Sequence, residues 1–287
     1  LSTVPTVYGE NLVVRLLDQT MPAQSLDELG LTSVQAQAMR DALTGPAGLI
    51  LLTGPTGSGK TTTLHAALHA LDHRGRVIHT LEDPVEYEFT AIRQTEIREK
   101  IGLTFAASLR ALLRQNPDVM LVGETRDAET AQLAIRGALT GHLVLSTLHT
   151  NDALSAIPRL RDLGVESFLI AASLRLVAAQ RLVRRLCPAC RQMHPENDLL
   201  RERHAMADAV FYAPTGCAAC HGRGFRGRLA VHEVIPAKKF IPLITADAPL
   251  ADLVALRDRE GLPTLWSSGL HAAAAGLTTV EEVARVL

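Results

Sequence analysis

The chain has 287 residues, room for two domains, and 47% of them are hydrophobic, so it can bury a core and is not a disordered polymer. Aromatic residues make up only 3% and the net charge is −1, which argues against base-stacking platforms and against a global basic field directed at nucleic acid or anionic lipid. No apolar run is long enough to cross a membrane, and the N-terminus lacks the basic-then-apolar layout of a signal peptide.

The chain opens at Leu1 rather than Met and reads as a fragment or processed product. Residues 1–17, with a strand over Leu12–Leu17, are too few to bury a core and are expected to be the remnant of a truncated N-terminal domain. Residues 18–30 read as a polar linker containing Pro22 and Gly30. Thr32 and Gln35 have the spacing of a capping box for a helix ending near Leu43. From Gly48 onward, apolar strands alternate with helical segments. The expected strands are Leu49–Thr53, Val77–Leu81, Val119–Val122 and Leu143–Thr147, with helices near 60–72, 104–115 and 127–139. This is the rhythm of an open parallel α/β sheet, assigned to a core domain over 31–186. A long helix is expected from Ala153 to Leu186. Residues 187–235 hold all four cysteines, and 236–287 return to helix, with Thr278 and Glu281 spaced as a capping box for the last one.

Between the first strand and the first core helix lies Gly54-Pro55-Thr56-Gly57-Ser58-Gly59-Lys60-Thr61, followed by Thr62. It fits G-x-x-x-x-G-K-[ST] at every fixed position and sits between a strand and a helix, the setting a phosphate loop requires. Its backbone N–H groups would face the phosphates of ATP, Lys60 would reach the β- and γ-phosphates, and the Thr61 hydroxyl would ligate Mg²⁺.

Ligands of open α/β sheets bind at the carboxyl ends of the strands. The second strand here runs into Glu82-Asp83-Pro84, the third into Gly123-Glu124, and the fourth into Leu148-His149. Phosphoanhydride hydrolysis needs positioned water, a metal and charge neutralisation. Glu124 is the first candidate to orient water, Glu82 competes for that work, Asp83 is either a metal-linked group or a turn former, and His149 is placed to meet the γ-phosphate. His65 and His69 read as helix-surface residues. Arg110 and Arg114, one helical turn apart, share a face, and Arg15 lies outside the nucleotide domain.

The cysteines form two C-x-x-C pairs, Cys187/Cys190 and Cys217/Cys220. Two such knuckles supply four thiolates for one tetrahedral Zn²⁺, a closed structural site. Disulfides and an iron–sulfur centre are the competing readings. Nearby arginines leave nucleic-acid binding as a weaker one.

These motifs together resemble the ATPases of bacterial type II secretion and type IV pilus assembly. Gly54–Thr63 is similar to the family's Walker A segment and Thr80–Tyr87 to its aspartate box. Leu112–Asp127 is similar to its Walker B region, Thr140–Asn151 to its histidine box, and Gln180–Cys187 with Gly222–Glu233 to its metal-binding insert. The resemblance implies a RecA-like P-loop NTPase core with a tetracysteine zinc module and a C-terminal helical region. It implies ATP hydrolysis in a homo-hexamer, with Arg15, Arg110 and Arg114 contacting nucleotide. It also implies a cytoplasmic protein, peripheral to the inner membrane, that works on the cytoplasmic domains of a secretion platform and not on nucleic acid. The four-cysteine insert marks assembly and secretion types, and the motif details favour type II secretion over pilus assembly. A RecA-like nucleic-acid motor and a nucleotide-gated scaffold are the rivals. The chain departs from the family pattern at Asn116, usually Asp, and at Thr125, usually Ile.

Overall fold

The computed structural model describes residues 2–14, 25–71 and 75–287. Strands β1 (Ser2–Thr6) and β2 (Gly9–Val13) pair antiparallel as a hairpin that leaves Val4, Tyr8 and Leu12 exposed. The strand expected over Leu12–Leu17 overlaps β2 at Leu12 and Val13. Its residues from Arg15 onward lie outside the described residues. Helix α1 (Ser33–Thr44) starts on the expected capping box: Gln35 N donates to Thr32 Oγ1 while Thr32 N donates to Gln35 Oε1.

The core then runs β3 (Gly48–Thr53), α2 (Lys60–His69), β4 (Ile78–Glu82), β5 (Arg93–Glu96), α3 (Phe105–Leu112), β6 (Val119–Val122), α4 (Ala128–Leu139) and β7 (Leu143–Leu148). After two short helices, α5 (Ala156–Asp162) and α6 (Ser167–Ser173), comes the 13-residue strand β8 (Leu174–Leu186). The cysteine region contributes β9 (Arg191–Met193), α7 (Asn197–Arg203), β10 (Tyr212–Pro214) and the long β11 (Phe225–Pro236). The chain ends with α8 (Ile241–Thr245), α9 (Leu250–Arg259), α10 (Leu265–Ala274) and α11 (Val280–Val286).

Seven strands form one sheet in the order β11-β8-β3-β7-β6-β4-β5. All neighbours are parallel except β11, which pairs antiparallel with β8 at the edge. Central strands buried on both faces divide their side chains between two cores. On β3, Leu49 and Leu51 join the cluster under α3, α4 and α6, whereas Ile50 and Leu52 join the one under α1 and α2.

The helix expected over 153–186 is replaced by α5, α6 and β8. Gly164, at φ +75°, separates the two helices. In β8, Leu176 and Ala178 face one core while Val177, Ala179 and Val183 face the other. A strand buried on both sides loses the polar alternation that marks a strand, and its Leu, Ala and Arg content has the propensity of a helix. Tertiary pairing with β3 and β11 decides the outcome. β11 therefore carries the cysteine region back into the core sheet. The last capping box is displaced by one residue: Thr279 caps α11 by accepting from Glu282 N, and Thr278 Oγ1 instead donates to Arg184 O.

Candidate functional site

The carboxyl ends of β3, β4, β6 and β7 meet at one edge of the sheet and open a cleft of about 920 Å³. The phosphate loop forms one wall. Gly54, at φ +146°, and Gly59, at φ +88°, hold backbone that other residues rarely adopt. A Cβ would meet Gln180 O at 2.6 Å from Gly54 and Gln180 Nε2 at 2.8 Å from Gly59, so the loop sits tightly against β8. Gly59 is also the N-cap of α2, whose first residue is Lys60. The Lys60 ammonium turns back over the loop and donates to the carbonyls of Gly54 (2.7 Å) and Pro55 (3.0 Å). Burial pushes its pKa below the ordinary lysine value, Glu124 pulls against that fall, and Arg181 adds to it. The Ser58 hydroxyl is buried beside Gly54 without a hydrogen-bond partner and does not line the cleft. Thr56, Gly57, Thr61 and Thr62 line the cleft beside it.

The opposite wall carries Glu82, Asp83, Glu124 and His149. The two glutamates differ in their surroundings. Glu82 is buried and surrounded by donors: Thr80 Oγ1 at 2.5 Å, Gln94 Nε2 at 3.0 Å and His65 Nε2 at 3.1 Å. Burial alone would raise its pKa, but the bonds from His65, Gln94 and Thr80 outweigh it and hold the carboxyl below the usual range. Glu124 keeps 14% of its side chain exposed. One oxygen pairs with Arg126 Nη2 at 2.7 Å, and the other stands 3.7 Å from His149 Nε2, too far for a direct hydrogen bond. Asp127, by contrast, is spent on structure, capping α4 through Thr130 N and Oγ1. His142 Nδ1 is likewise occupied, donating to Gly137 O at 2.9 Å.

Arg110 and Arg114 do not line this cleft. Arg110 pairs with Glu129 of α4, and Arg114 Nη1 donates to Arg110 O at 2.9 Å. Arg15 lies outside the described residues. Two other arginines, Arg185 and Arg228, line the far end of the cleft with Leu29, Leu182 and Leu229. His65 corrects the sequence expectation. It lies on the buried face of α2, against Glu82 and edge-on to Tyr87 and Phe89, rather than on the helix surface. The unbroken buried run from Thr63 to Leu68 shows why His65 is shielded from solvent, whereas His69, at the end of α2, is exposed as expected. At Thr125, where the family usually has Ile, the buried hydroxyl lies 2.8 Å from Ser146 Oγ, which itself bonds Val122 O, so the substitution leaves no unpaired group. Asn116 sits at φ +52°, a conformation asparagine tolerates.

The four cysteine sulfurs lie within 4.8 Å of one another and form no disulfide. The Cys187–Cys217, Cys190–Cys220 and Cys217–Cys220 pairs are separated by 3.9, 3.8 and 3.8 Å. A tetrahedron of Zn–S bonds near 2.3 Å has edges of about 3.8 Å, so the donor set fits that ion. Backbone N–H groups of Cys217 and Gly224 donate to Cys220 Sγ, as a thiolate ligand would require.

Phosphate loop, strand-end carboxylates and a cysteine tetrad thus occur together, and residues 1–285 match the family model for type II/IV secretion system proteins. The chain belongs to that family. It is 47% identical over 288 residues to the putative type II secretion system protein E of Escherichia coli (strain K12), a match covering 99% of this chain and 58% of that protein. It is 45% identical to the type IV pilus assembly ATPase PilB of Myxococcus xanthus (strain DK1622), covering 98% of this chain and 51% of that protein. The chain therefore spans little more than half the length of these relatives. Among solved structures, the pilus retraction motor PilT with bound ADP superposes with a TM-score of 0.70 at 29% identity, over 94% of this chain and 68% of that one. The ATPase DotB of Legionella pneumophila, at 22% identity and a TM-score of 0.66, shares the fold.

Proposed function

We propose that this secretion-family chain is the ATP-hydrolysing part of a type II secretion motor that powers an inner-membrane platform from the cytoplasmic side. The observation that carries this reading is the cleft itself, which sets Lys60 and Thr61 of the phosphate loop opposite Glu124 and His149. Lys60 would leave its loop carbonyls for the β- and γ-phosphates. The hydroxyl of Thr61 would hold Mg²⁺, which supplies charge neutralisation when bound. Glu124, tied by only one exposed arginine, is free to orient the attacking water. Glu82, held by three donors, keeps α2 and β4 in register and sets the wall of the site. Glu124 is thus the better placed of the two for the base role.

Arg110, on α3, and Arg114, in the turn just after it, are exposed away from their own cleft, where a neighbouring subunit of a homo-hexamer could receive them as charge-neutralising arginines. Arg15 belongs to the same proposed set. Cys187, Cys190, Cys217 and Cys220 would hold a structural Zn²⁺, which when bound fixes the two knuckles to each other. The relatives named for type II secretion span 43 to 48% identity, a range that includes the 45% of the pilus assembly ATPase, so the motif details put secretion first and pilus assembly second.

The test is phosphate release from ATP by the intact protein, beside a Lys60→Ala variant, with co-purification of membrane proteins from the native cell. Turnover is expected to fall about 100-fold or more in the variant, together with weakened nucleotide binding. Inner-membrane secretion components are expected to be captured. DNA- or RNA-stimulated turnover with steep salt dependence would instead indicate a nucleic-acid motor.

A further inference from the structure

Two consecutive residues of β8, Gln180 and Arg181, lie just past the point where β3 gives way to the phosphate loop, since Thr53 pairs with Ala179. Successive strand residues point to opposite faces, so Gln180 bonds the loop from one face while Arg181 packs beside it on the other. Gln180 Nε2 donates to Ser58 O at 2.8 Å, and Thr63 Oγ1 donates to Gln180 Oε1 at 2.8 Å. On the other face Arg181 is 7% exposed, and a Cβ at Gly54 would come within 3.2 Å of its Nη1. Nη1 donates to Gln180 O at 3.1 Å, and Nη2 reaches across to Asn151 O at 2.8 Å. Asn151 belongs to the loop that leaves β7 and begins with His149. The same loop is held at its far side by β11, where Ala153 N donates to the buried Glu233 Oε2 at 3.1 Å, and Arg257 of α9 donates to Glu233 Oε1 at 3.3 Å. Asp152 and Glu233 are the charges that offset Arg181.

We propose that Arg181 is a positioning residue for the ATPase reaction: its buried guanidinium ties the loop after β7 to β8, the strand against which the phosphate loop rests, and so fixes the distance between His149 and Glu124. The inference rests on the ATPase reading above. Arg181 is not itself part of the cleft lining, so it acts through its neighbours and not on the substrate. The fork geometry is the operative feature. A planar guanidinium can bond two carbonyls from two chain segments at fixed separation, whereas a lysine ammonium of equal charge is a point donor.

The test uses Arg181→Lys, which keeps a cation opposite Asp152 and Glu233, with Arg181→Gln as the second variant. For Arg181→Lys the expected result is a kcat lowered about 100-fold with KM within about twofold of wild type. In a His149→Ala background, which itself lowers kcat, Arg181→Lys should change kcat by less than about twofold, because both act on one step. Amide exchange over Asn151–Ala153 should rise in both Arg181 variants while the phosphate loop stays protected. An unchanged kcat, losses that multiply fully with His149→Ala, or unaltered exchange over Asn151–Ala153 would each overturn the proposal. Absence of turnover in the wild-type protein would count against the ATPase reading alone, and the exchange measurement would still decide whether Arg181 holds the loop.

Discussion

Hydrogen bonding separates the two glutamates of the cleft more clearly than their positions do. Glu82 meets three donors, two of them on one oxygen, whereas Glu124 keeps an oxygen open toward His149. Strand-end placement made both visible in the sequence, but the partners that divide their roles come from residues 2 to 25 positions away, and only folding brings them together. Gln180, Arg181 and His65 were not legible as site residues, because each acts through a neighbour distant in the chain. A different residue contributes to the acid response. His232 on β11 is buried with both ring nitrogens unpaired, and burial lowers its pKa to about 4. A histidine lowered in the folded state leaves the unfolded chain binding more protons, so its cost is absent above about 6.5 and grows as pH falls toward 4. Replacing it by His232→Leu should flatten the pH dependence of stability in that window by about 1.4 kcal/mol per pH unit. Urea unfolding of both proteins at pH 7 and pH 5 measures this, and equal slopes would refute it.

Elements that alternate with a clear period were legible: α1 with its capping box, β3, α2, β6, α4 and β7 lie where the pattern puts them, give or take up to three residues at their ends. β5, β8 and β11 were not. β5 is a polar four-residue edge strand with no apolar alternation, and β8 and β11 owe their state to long-range pairing. The joint between these strands and the C-terminal helices is a clamp on Glu282 of α11. Its carboxylate is fully buried and accepts from Arg184 N, Nε and Nη2 and from Arg285 Nε and Nη2. Burial would raise its pKa, but the bonds from Arg285 and Arg184 prevail and lower it to about 2. The depressed value places its contribution fully above the ordinary carboxylate range, with loss as pH falls toward 2. Glu282→Ala should destabilise the protein by about 2 kcal/mol at neutral pH. Thermal unfolding checks it, and a midpoint equal to wild type would show that the clamp adds nothing.

At the scale of the molecule, one sheet joins the parts that the sequence divides. The antiparallel β11 returns from the cysteine knuckles to lie beside β8, and through β8 beside the phosphate-loop strand β3. The small core of Leu200 and Phe211 packs on Leu270, Ala273 and Val280, so the knuckle region also rests on the C-terminal helices. Nucleotide cleft, cysteine tetrad and terminal helices therefore share a continuous framework. That arrangement suits a protein in which the state of the phosphate site must be felt elsewhere. The account stands or falls on the cleft as a hydrolytic site, and Glu124→Gln in the intact protein tests it most directly. The variant removes the carboxylate while leaving Lys60, Thr61 and the phosphate loop untouched. ATP binding is expected to stay within about twofold of wild type while phosphate release falls about 100-fold or more. Phosphate release near the wild-type rate would contradict it.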